Sequence, residues 1–329
     1  MIRVEGLTKD YGARRAIENL NFNAEKGEIL GFLGPNGAGK TTTMRILCGY
    51  MPPTSGKAEV SGFDVVEQSL EVRRRVGYLP ETVPLYPDMT VFEYLKYMGD
   101  LRHLKNVEDR VDEVLEMVSM TDRADGYISA LSKGLRQRVG IAQALIHEPE
   151  VLILDEPTLG LDPAQIIEAR NIIREIGRER TVLLSTHILS EAQQLCNRVL
   201  IINKGHIVVE DTPEHLQSHL AGSQKVLLKV NGDTDGLETL VRNVPGISQV
   251  TVHTVGEIEF ETVPGRDVRP DVARAVVEAG FDLLELHPIS LSLEDIFIEL
   301  TREEPEPPAI SDASLNLGEE QDDLDEVED

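Results

Sequence analysis

Nine residues, GPNGAGKTT, have the types and the spacing of a loop that binds phosphate. A glycine, four residues and then Gly-Lys-Thr follow the phosphate-binding pattern. Without large side chains the backbone can curl so that several N–H groups point at phosphate oxygens, and a helix that begins near Gly39 adds its positive end. In such a loop Lys40 reaches the β- and γ-phosphates, and the Thr41 hydroxyl ligates Mg²⁺. The residues predicted to bind the nucleotide are Gly34, Pro35, Asn36, Gly37, Ala38, Gly39, Lys40, Thr41 and Thr42.

Three further polar residues end apolar runs. VLILDEP places Asp155 and Glu156 at the end of a predicted buried strand. The first carboxylate can hold Mg²⁺, usually through water, and the second can polarise an attacking water. TVLLSTH ends in His187. A lone histidine at a strand end is often structural, but its position after the acid pair favours contact with the γ-phosphate or the attacking water.

A second candidate anion site lies in ALSKGLRQRVGIAQAL, about twenty residues before Asp155. Ser132 and Gly134 stand where a helix is predicted to begin, so a hydroxyl, a flexible N–H and a helix N-terminus come together. One nucleotide on one chain does not need this second site. The pattern therefore indicates that two copies face each other, each offering this helix to the nucleotide of the other.

With these motifs in order, roughly residues 1 to 215 resemble the ATPase subunit of an ATP-binding-cassette (ABC) transporter. The resemblance identifies GPNGAGKTT as the Walker A loop, VLILDE as the Walker B strand, LSKGL as the family signature and His187 as the switch histidine. It implies that Tyr11 stacks on adenine, with a buried core tyrosine as the alternative. It also implies that Asp162, in LGLDP, lies at a dimer seam.

Two departures from the family pattern stand out. The signature, usually LSGGQ, has Lys133 and Leu135 in place of the second glycine and the glutamine, while Ser132 and Gly134 remain to contact the γ-phosphate in trans. The glutamine that usually links the nucleotide to the helical subdomain is replaced by Glu81, in GYLPE. A carboxylate there can ligate Mg²⁺ together with Thr41 and Asp155, since hard cations favour oxygen. A surface carboxylate without a ligand is the alternative.

The elements that must position these residues alternate between strand and helix up to about residue 210. Such alternation, with short apolar strands, predicts an α/β fold with a buried, mostly parallel sheet. The predicted strands are IRVEGLTKDY, GEILGFLG, KAEVSGFDV, RVGYLPE, VLILDEP, TVLLSTH and RVLIINKGHIVVED, and helices are predicted to begin near Gly39, Val91, Asp109, Gly134, Pro163 and Leu189. The stretch from Tyr86 to Gly126 reads as two helices, inside an inserted helical subdomain of about residues 84–148.

The chain after Gln224 has a different pattern. Its segments predict the order β-α-β-β-α-β, typical of a small α+β ferredoxin-like domain, closed by the helix SLEDIFIEL. We therefore predict an ABC-type ATPase domain over 1–222, a ferredoxin-like domain over 223–302 and a disordered acidic tail over 303–329. The tail holds twelve acids and no bases, which makes it a solvated tail or a docking arm for a basic partner.

Composition narrows the function classes. The net charge of −26 argues against direct nucleic-acid binding, because phosphate would be repelled. No apolar run approaches the roughly 18 residues of a membrane span, and MIRVEGLTKDY lacks the pattern of a secretory signal. The two cysteines, Cys48 and Cys196, form neither a disulfide framework nor a metal set, which favours a reducing cytosol.

Within the ABC family, GYLPETVPLYPDMTVFEYL, SKGLRQRVG and SLEDIFIELT resemble ATPase subunits of ABC-2-type exporters, especially those called gliding-motility-associated. The resemblance implies an ATP- and Mg²⁺-dependent homodimer or paralogous heterodimer. It would act with a separate integral-membrane ABC-2 permease, on the cytoplasmic face of the inner or plasma membrane. The permease is expected to dock around Leu85 to Tyr97. Two alternatives remain open: a soluble mechanochemical ABC ATPase acting on ribosomes or DNA, and a regulatory module that hydrolyses ATP poorly.

Overall fold

The computed structural model describes residues 1–219, 225–232, 236–263 and 267–289. Its strands are β1 Ile2–Tyr11, β2 Arg14–Ala24, β3 Ile29–Leu33, β4 Ser55–Val60, β5 Phe63–Asp64, β6 Val76–Leu79, β7 Val151–Asp155, β8 Thr181–Thr186, β9 Arg198–Asn203, β10 His206–Asp211, β11 Lys225–Asn231, β12 Ile247–Thr254, β13 Glu257–Thr262 and β14 Asp282–Ile289. Its α-helices are α1 Lys40–Leu47, α2 Ser69–Arg75, α3 Val91–Leu101, α4 Val107–Met117, α5 Lys133–Leu145, α6 Pro163–Gly177, α7 Leu189–Leu195, α8 Pro213–His219, α9 Leu237–Arg242 and α10 Arg269–Glu278.

A six-stranded sheet forms the centre of the first part of the chain, in the order β10-β9-β3-β8-β7-β6. Strands β9, β3, β8, β7 and β6 run parallel, and every residue of β3, β7 and β8 is buried. Apolar residues on both faces of these strands pack against helices, as in parallel sheets generally. The predicted buried, mostly parallel sheet is confirmed.

A second, antiparallel sheet has the order β2-β1-β4-β5. Two stretches that were predicted as strands of the parallel sheet, IRVEGLTKDY and KAEVSGFDV, lie here instead, and β2 was not predicted at all. The physical reason is visible in the burial pattern, because β1 and β2 alternate buried and accessible residues as a sheet with one solvated face does. Phe22 of β2 packs against Phe32 of β3 with ring centroids 5.7 Å apart, which joins the two sheets.

Helices α3, α4 and α5 pack together beside β6. The two helices predicted between Tyr86 and Gly126 are present as α3 and α4. Thr90 and Glu93 form a capping box at the start of α3, so two of its end N–H groups are satisfied. The buried Tyr94 of α3 donates its hydroxyl hydrogen to Gln143 Oε1 on α5 at 2.6 Å, which fixes α3 against α5.

The last described segments fold as β11-α9-β12-β13-α10-β14 around a core of their own. The sheet order is β12-β13-β11-β14, with every neighbouring pair antiparallel. The predicted element order is therefore present, while the assignment as a ferredoxin-like domain stays a prediction. The predicted closing helix SLEDIFIEL and the tail from 303 lie outside the described residues. None of the helices within the described ranges combines the length and the apolar character that crossing a membrane requires.

Candidate functional site

The carboxyl ends of the central strands face a cleft of about 530 Å³. The loops after β3, β7 and β8 reach it together with the turn between β1 and β2, which is the arrangement expected for ligand sites on parallel sheets. Most of the predicted site residues line the cleft: Tyr11, Pro35, Asn36, Gly37, Gly39, Lys40, Thr41, Thr42, Glu81, Glu156 and His187.

The loop after β3 has the shape that its glycines predict. Gly39 immediately precedes α1 at φ 115°, and a Cβ there would lie 2.5 Å from Ile17 Cγ2. A larger residue would therefore have to be strained and to displace β2. Gly34 and Ala38 are buried behind the loop, whereas Asn36 and Gly37 are exposed. The N-terminus of α1 consequently opens onto the cleft, where it favours an anion.

Lys40 is buried, with 6 % of its surface exposed. Its Nζ donates to the carbonyl oxygen of Gly34 at 2.6 Å and lies 3.3 Å from Glu156 Oε1. A buried ammonium group requires such partners, because leaving it unpaired away from water is costly. The positive charge is thus held at the floor of the phosphate loop by a carbonyl group and a carboxylate.

The two acids that end β7 have different surroundings. Asp155 Oδ1 accepts a hydrogen bond from the Ser185 hydroxyl at 2.6 Å, and the Glu156 N–H donates to the same Ser185 oxygen at 2.9 Å. Asp155 Oδ2 is buried and has no hydrogen-bond partner among the described residues. A buried carboxylate oxygen that lacks a donor is suited to a ligand that brings one, such as a water molecule bound to a cation.

Glu156 has a left-handed backbone conformation, with φ 50°. That conformation is uncommon for a residue other than glycine and costs of the order of 1 kcal/mol or more. It accompanies a buried carboxylate whose Oε2 lies 2.8 Å from Nδ1 of His187. The His187 side chain is 40 % exposed, so the pair places one buried and one accessible group at the same end of the cleft.

Tyr11 is not a core residue, because 46 % of its surface is exposed. Its hydroxyl donates to Met51 Sδ at 3.1 Å, and Lys9 Nζ lies 5.6 Å from the ring centroid. The alternative of a buried structural tyrosine is therefore wrong. An exposed ring at the edge of a phosphate-binding cleft is suited to stacking on a flat base.

Glu81 lines the cleft two residues after β6, and it is exposed. No hydrogen bond or ion pair holds its carboxylate within the described part of the chain. In those same ranges, no three His, Cys, Asp or Glu side chains group closely enough to hold a metal. A divalent ion here would therefore need phosphate oxygens and water besides Thr41, Glu81 and Asp155.

The signature residues stand apart from this cleft. Ser132 caps α5 by accepting from the Leu135 N–H at 3.3 Å, and it is exposed together with Lys133. Gly134 is buried against α6, where an added Cβ would lie 2.5 Å from Gln165 Cδ. Asp162 caps α6 by accepting from the Gln165 N–H at 2.9 Å. The cleft of this chain is thus lined by none of Ser132, Lys133, Gly134 and Asp162.

Three residues that line the cleft were not predicted: Arg14, Ala16 and Leu159. Arg14 is exposed at the start of β2, and its guanidinium group lies 3.9 Å from the Cβ position of Gly37. The next residue, Arg15, is paired with Asp10 and Glu18 instead. Recognising KDYGARRA as a hairpin turn between two strands would have placed Arg14 beside Tyr11.

Comparison with known sequences identifies a family and several relatives for this chain. A family profile described as ABC transporter matches residues 17–159. The bacitracin transport ATP-binding protein BcrA of Bacillus licheniformis is 39% identical over 306 residues, which are 91% of this chain and 97% of that protein. The daunorubicin resistance ATP-binding protein DrrA3 of Streptomyces coeruleorubidus is 36% identical over 91% of this chain and 95% of its own length. The Nod factor export ATP-binding protein I of Ralstonia nicotianae is also 36% identical, over 92% and 94%.

Solved structures agree as well. The ATP-binding subunit of an ABC transporter superposes with a TM-score of 0.61 at 31% identity, covering 67% of this chain and 93% of that one. A dimeric ATP-binding cassette in a post-hydrolysis state with ADP and Pi superposes with a TM-score of 0.59 at 25% identity, over 65% of this chain and 99% of that one. The chain therefore belongs to the ABC transporter family, as one of its ATP-binding and ATP-hydrolysing subunits.

Proposed function

We propose that the chain powers an ABC-2-type export complex by closing head to tail with a second subunit around two ATP molecules. The observation that carries this proposal is the composition of the cleft. It contains the phosphate loop, Glu156 and His187, but no residue of the LSKGL signature lines it. Ser132, at the start of α5, is exposed outside the cleft of its own chain. A second copy is therefore needed to bring a serine and a helix N-terminus to the γ-phosphate.

We propose the following division of roles, which the lining of the cleft supports. Tyr11 stacks on the base, and the loop from Gly34 to Thr42 binds the phosphates. Glu156 is placed to accept a proton from the attacking water, because its carboxylate is buried, oriented and close to the loop lysine. His187 orients the carboxylate and reaches the γ-phosphate end. In the partner, Ser132, Lys133 and Gly134 complete the site, and Asp162 lies at the seam between the subunits.

Mg²⁺ fits the oxygen atoms available at the cleft. The buried Asp155 Oδ2 lacks a donor within the described residues, and Thr41 and Glu81 line the cleft, which Asp155 itself does not line. We propose that these three residues hold the ion, Asp155 through water. When bound, the cation neutralises charge on the β- and γ-phosphates. The chain itself would orient the oxygen atoms of Asp155, Thr41 and Glu81, and it would keep Glu156 and Lys40 in place.

The helical subdomain is the proposed docking surface for a membrane permease, around Leu85 to Tyr97. Tyr86 and Tyr97 are 47% and 38% exposed, and their rings lie 5.9 Å apart. Exposed neighbouring aromatic side chains are typical of protein interfaces. The surface begins four residues after Glu81, so the permease would act close to the nucleotide. Relatives named for bacitracin transport, daunorubicin resistance and Nod factor export support an export role.

We propose that the chain forms a homodimer or a paralogous heterodimer, bound peripherally to the cytoplasmic face of the inner or plasma membrane. The domain division at 1–222, 223–302 and 303–329, with a helical subdomain at about 84–148, is part of the proposal. So is the ferredoxin-like character of the second domain.

Affinity purification of the tagged chain from detergent-solubilised membranes tests the export proposal. We expect a polytopic membrane protein to co-purify in near-equal amount, and Tyr97→Ser to weaken that association. Val255→Ser, a change at a 78% exposed residue of the last described segments, is the matched control. Recovery from the soluble fraction alone, with ribosomal or DNA-bound partners, would overturn the exporter role and support the mechanochemical alternative.

A further inference from the structure

Glu191 is a carboxylate that the proposed roles leave unused. It lies in the first turn of α7, is completely buried and does not line the nucleotide cleft. No cation pairs with it in the described ranges. A carboxylate that is buried without a counter-charge is costly, so a position of this kind calls for a physical reason.

The contacts of Glu191 give that reason. Its Oε2 accepts a hydrogen bond from the Thr158 hydroxyl at 2.7 Å and another from the Thr186 hydroxyl at 3.1 Å. Its Oε1 has no hydrogen-bond partner within the described part of the chain. One oxygen atom therefore joins two segments that are 28 residues apart in the chain, the loop after β7 and the end of β8.

Both segments carry a residue of the Glu156–His187 pair. Thr158 follows Glu156 by two residues, and Thr186 immediately precedes His187. Thr186 Oγ1 also accepts from the Ile188 N–H at 3.0 Å, so the backbone on the other side of His187 is tied to the same group. Glu191, which does not line the cleft, thus holds together the two turns that place Glu156 and His187 2.8 Å apart.

We propose that Glu191 is a positioning residue for ATP hydrolysis, which keeps the turns of Glu156 and His187 in register without touching the nucleotide. The inference rests on the proposed roles of Glu156 and His187. A misplacement of a reacting group by about 1 Å can cost about a hundredfold in rate. The hydrogen bonds of Glu191 go to Thr158 and Thr186 and not to the residues proposed to bind ATP. Loss of this tie should therefore lower kcat and leave the KM for ATP unchanged.

Three variants and one matched control test the inference through steady-state ATPase kinetics. Glu191→Leu keeps a side chain of similar size and removes both accepted hydrogen bonds, so kcat should fall at least about tenfold with KM within about twofold. Glu191→Gln keeps one oxygen that can accept from both hydroxyls, so it should retain kcat within about threefold. Thr186→Val should lower kcat in the same direction as Glu191→Leu.

Thr181→Val is the matched control for Thr186→Val. Thr181 lies at the other end of β8, is equally buried, and donates its hydroxyl hydrogen to the Glu25 carbonyl oxygen at 2.9 Å. Thr181→Val should lower the thermal midpoint about as much as Thr186→Val does, and it should leave kcat unchanged. Equal kcat losses in the two valine variants, or a kcat for Glu191→Leu within twofold of the wild type, would overturn the positioning role.

The same assay separates this inference from the roles on which it rests. Glu156→Gln and His187→Ala are measured beside the Glu191 variants. If either keeps wild-type turnover, the proposed role of that residue fails, and the inference fails with it. If both lose turnover while Glu191→Leu does not, only the positioning role fails. Non-additive kcat losses in the combined Glu191→Leu, His187→Ala variant support the inference, because both changes then act on one unit, and fully additive losses would contradict it.

Discussion

Nδ1 of His187 lies 2.8 Å from Oε2 of Glu156, and this contact joins the ends of two neighbouring parallel strands. Glu156 is buried and His187 is accessible. A proton or a water molecule in the cleft can therefore interact with the pair while the carboxylate remains shielded from solvent. Glu156 makes this contact from a left-handed backbone conformation, with φ 50°.

The first prediction concerns Glu156→Gln. The change removes the proposed proton acceptor but keeps the size of the side chain, so ATP turnover should fall by about a hundredfold or more. ATP should then persist between two subunits, and gel filtration at saturating Mg·ATP should show a dimer. Glu175→Gln, at an exposed surface ion pair, should leave both properties unchanged. A Glu156→Gln protein that stays monomeric under these conditions would count against the head-to-tail dimer.

Tyr11→Ala should weaken ATP binding, because stacking of a base on an aromatic ring is worth about 1–3 kcal/mol. An increase in Kd of about tenfold is expected. Tyr11→Phe should bind nearly as tightly, since the hydroxyl donates to Met51 Sδ and takes no part in stacking. The comparison is Tyr127→Ala, at a tyrosine that is 59% exposed and does not line the cleft. If Tyr127→Ala weakens ATP as much as Tyr11→Ala does, the ring of Tyr11 does not bind the base.

Glu81 should make nucleotide binding unusually dependent on the metal. In the proposed site its carboxylate would repel the phosphates when Mg²⁺ is absent and would bind the ion when it is present. Glu81→Gln should therefore tighten ATP binding in EDTA, and the ratio of the Kd values without and with Mg²⁺ should shrink. Calorimetric titration with and without Mg²⁺ measures that ratio. Asp88→Asn, at an exposed acid that does not line the cleft, controls for general charge, and an equal shrinkage in both variants would show that Glu81 has no specific role.

Ser132 has a cap function within its own chain and a proposed phosphate contact in the partner, and two substitutions separate them. Asp and Asn both cap helices well, so Ser132→Asp and Ser132→Asn should each keep α5 intact, with thermal midpoints close to that of the wild type. Only Asp adds negative charge where phosphate is expected. In the Glu156→Gln background, Ser132→Asp should abolish the ATP-dependent dimer and Ser132→Asn should weaken it less. Equal dimerisation of the two variants would exclude Ser132 from the phosphate contact.

His147 gives a prediction about stability and pH. Burial lowers its pKa to about 4, from an ordinary 6.5, aided by the charges of Arg102 and Arg110 and opposed by its hydrogen bond with the Val76 carbonyl group. Between those two pH values the unfolded chain binds a proton that the folded chain does not, so this group makes the unfolding free energy fall as the pH is lowered from 6.5 to 4. His147→Gln should lose less stability than the wild type across that interval. Thermal midpoints measured from pH 7 to 4.5 give the two slopes, and equal slopes would be the contrary result.

The parts of the site that are encoded locally could be predicted from the sequence. The phosphate loop is a short pattern whose glycines are needed where they stand, and the runs before Asp155 and His187 are apolar because both faces of those strands are covered. The six helix starts that were predicted up to Leu189 agree with the observed ones to within two residues.

Relationships over longer distances could not be predicted in this way. The membership of IRVEGLTKDY in a second sheet depends on its pairing with β2, whose sequence RRAIENLNFNA is rich in polar residues and gives a weak strand signal. Arg14 was missed for that reason. Glu191, in SEAQQLC, has the polar character of an ordinary exposed helix residue. Its burial follows from the packing of α7 against β3 and β8, where its carboxylate meets Thr158 and Thr186.

The contact of Lys40 with Glu156 has a consequence for how a nucleotide enters. In this conformation the lysine is balanced by a carboxylate of its own chain, 3.3 Å away. A phosphate group of the arriving nucleotide would replace the Glu156 carboxylate as the counter-charge of Lys40. Nucleotide entry would therefore exchange one anion for another beside the lysine, rather than add an anion to an unpaired cation. The released carboxylate can then turn to the attacking water, as its proposed role requires. Binding of the nucleotide thereby prepares its own hydrolysis.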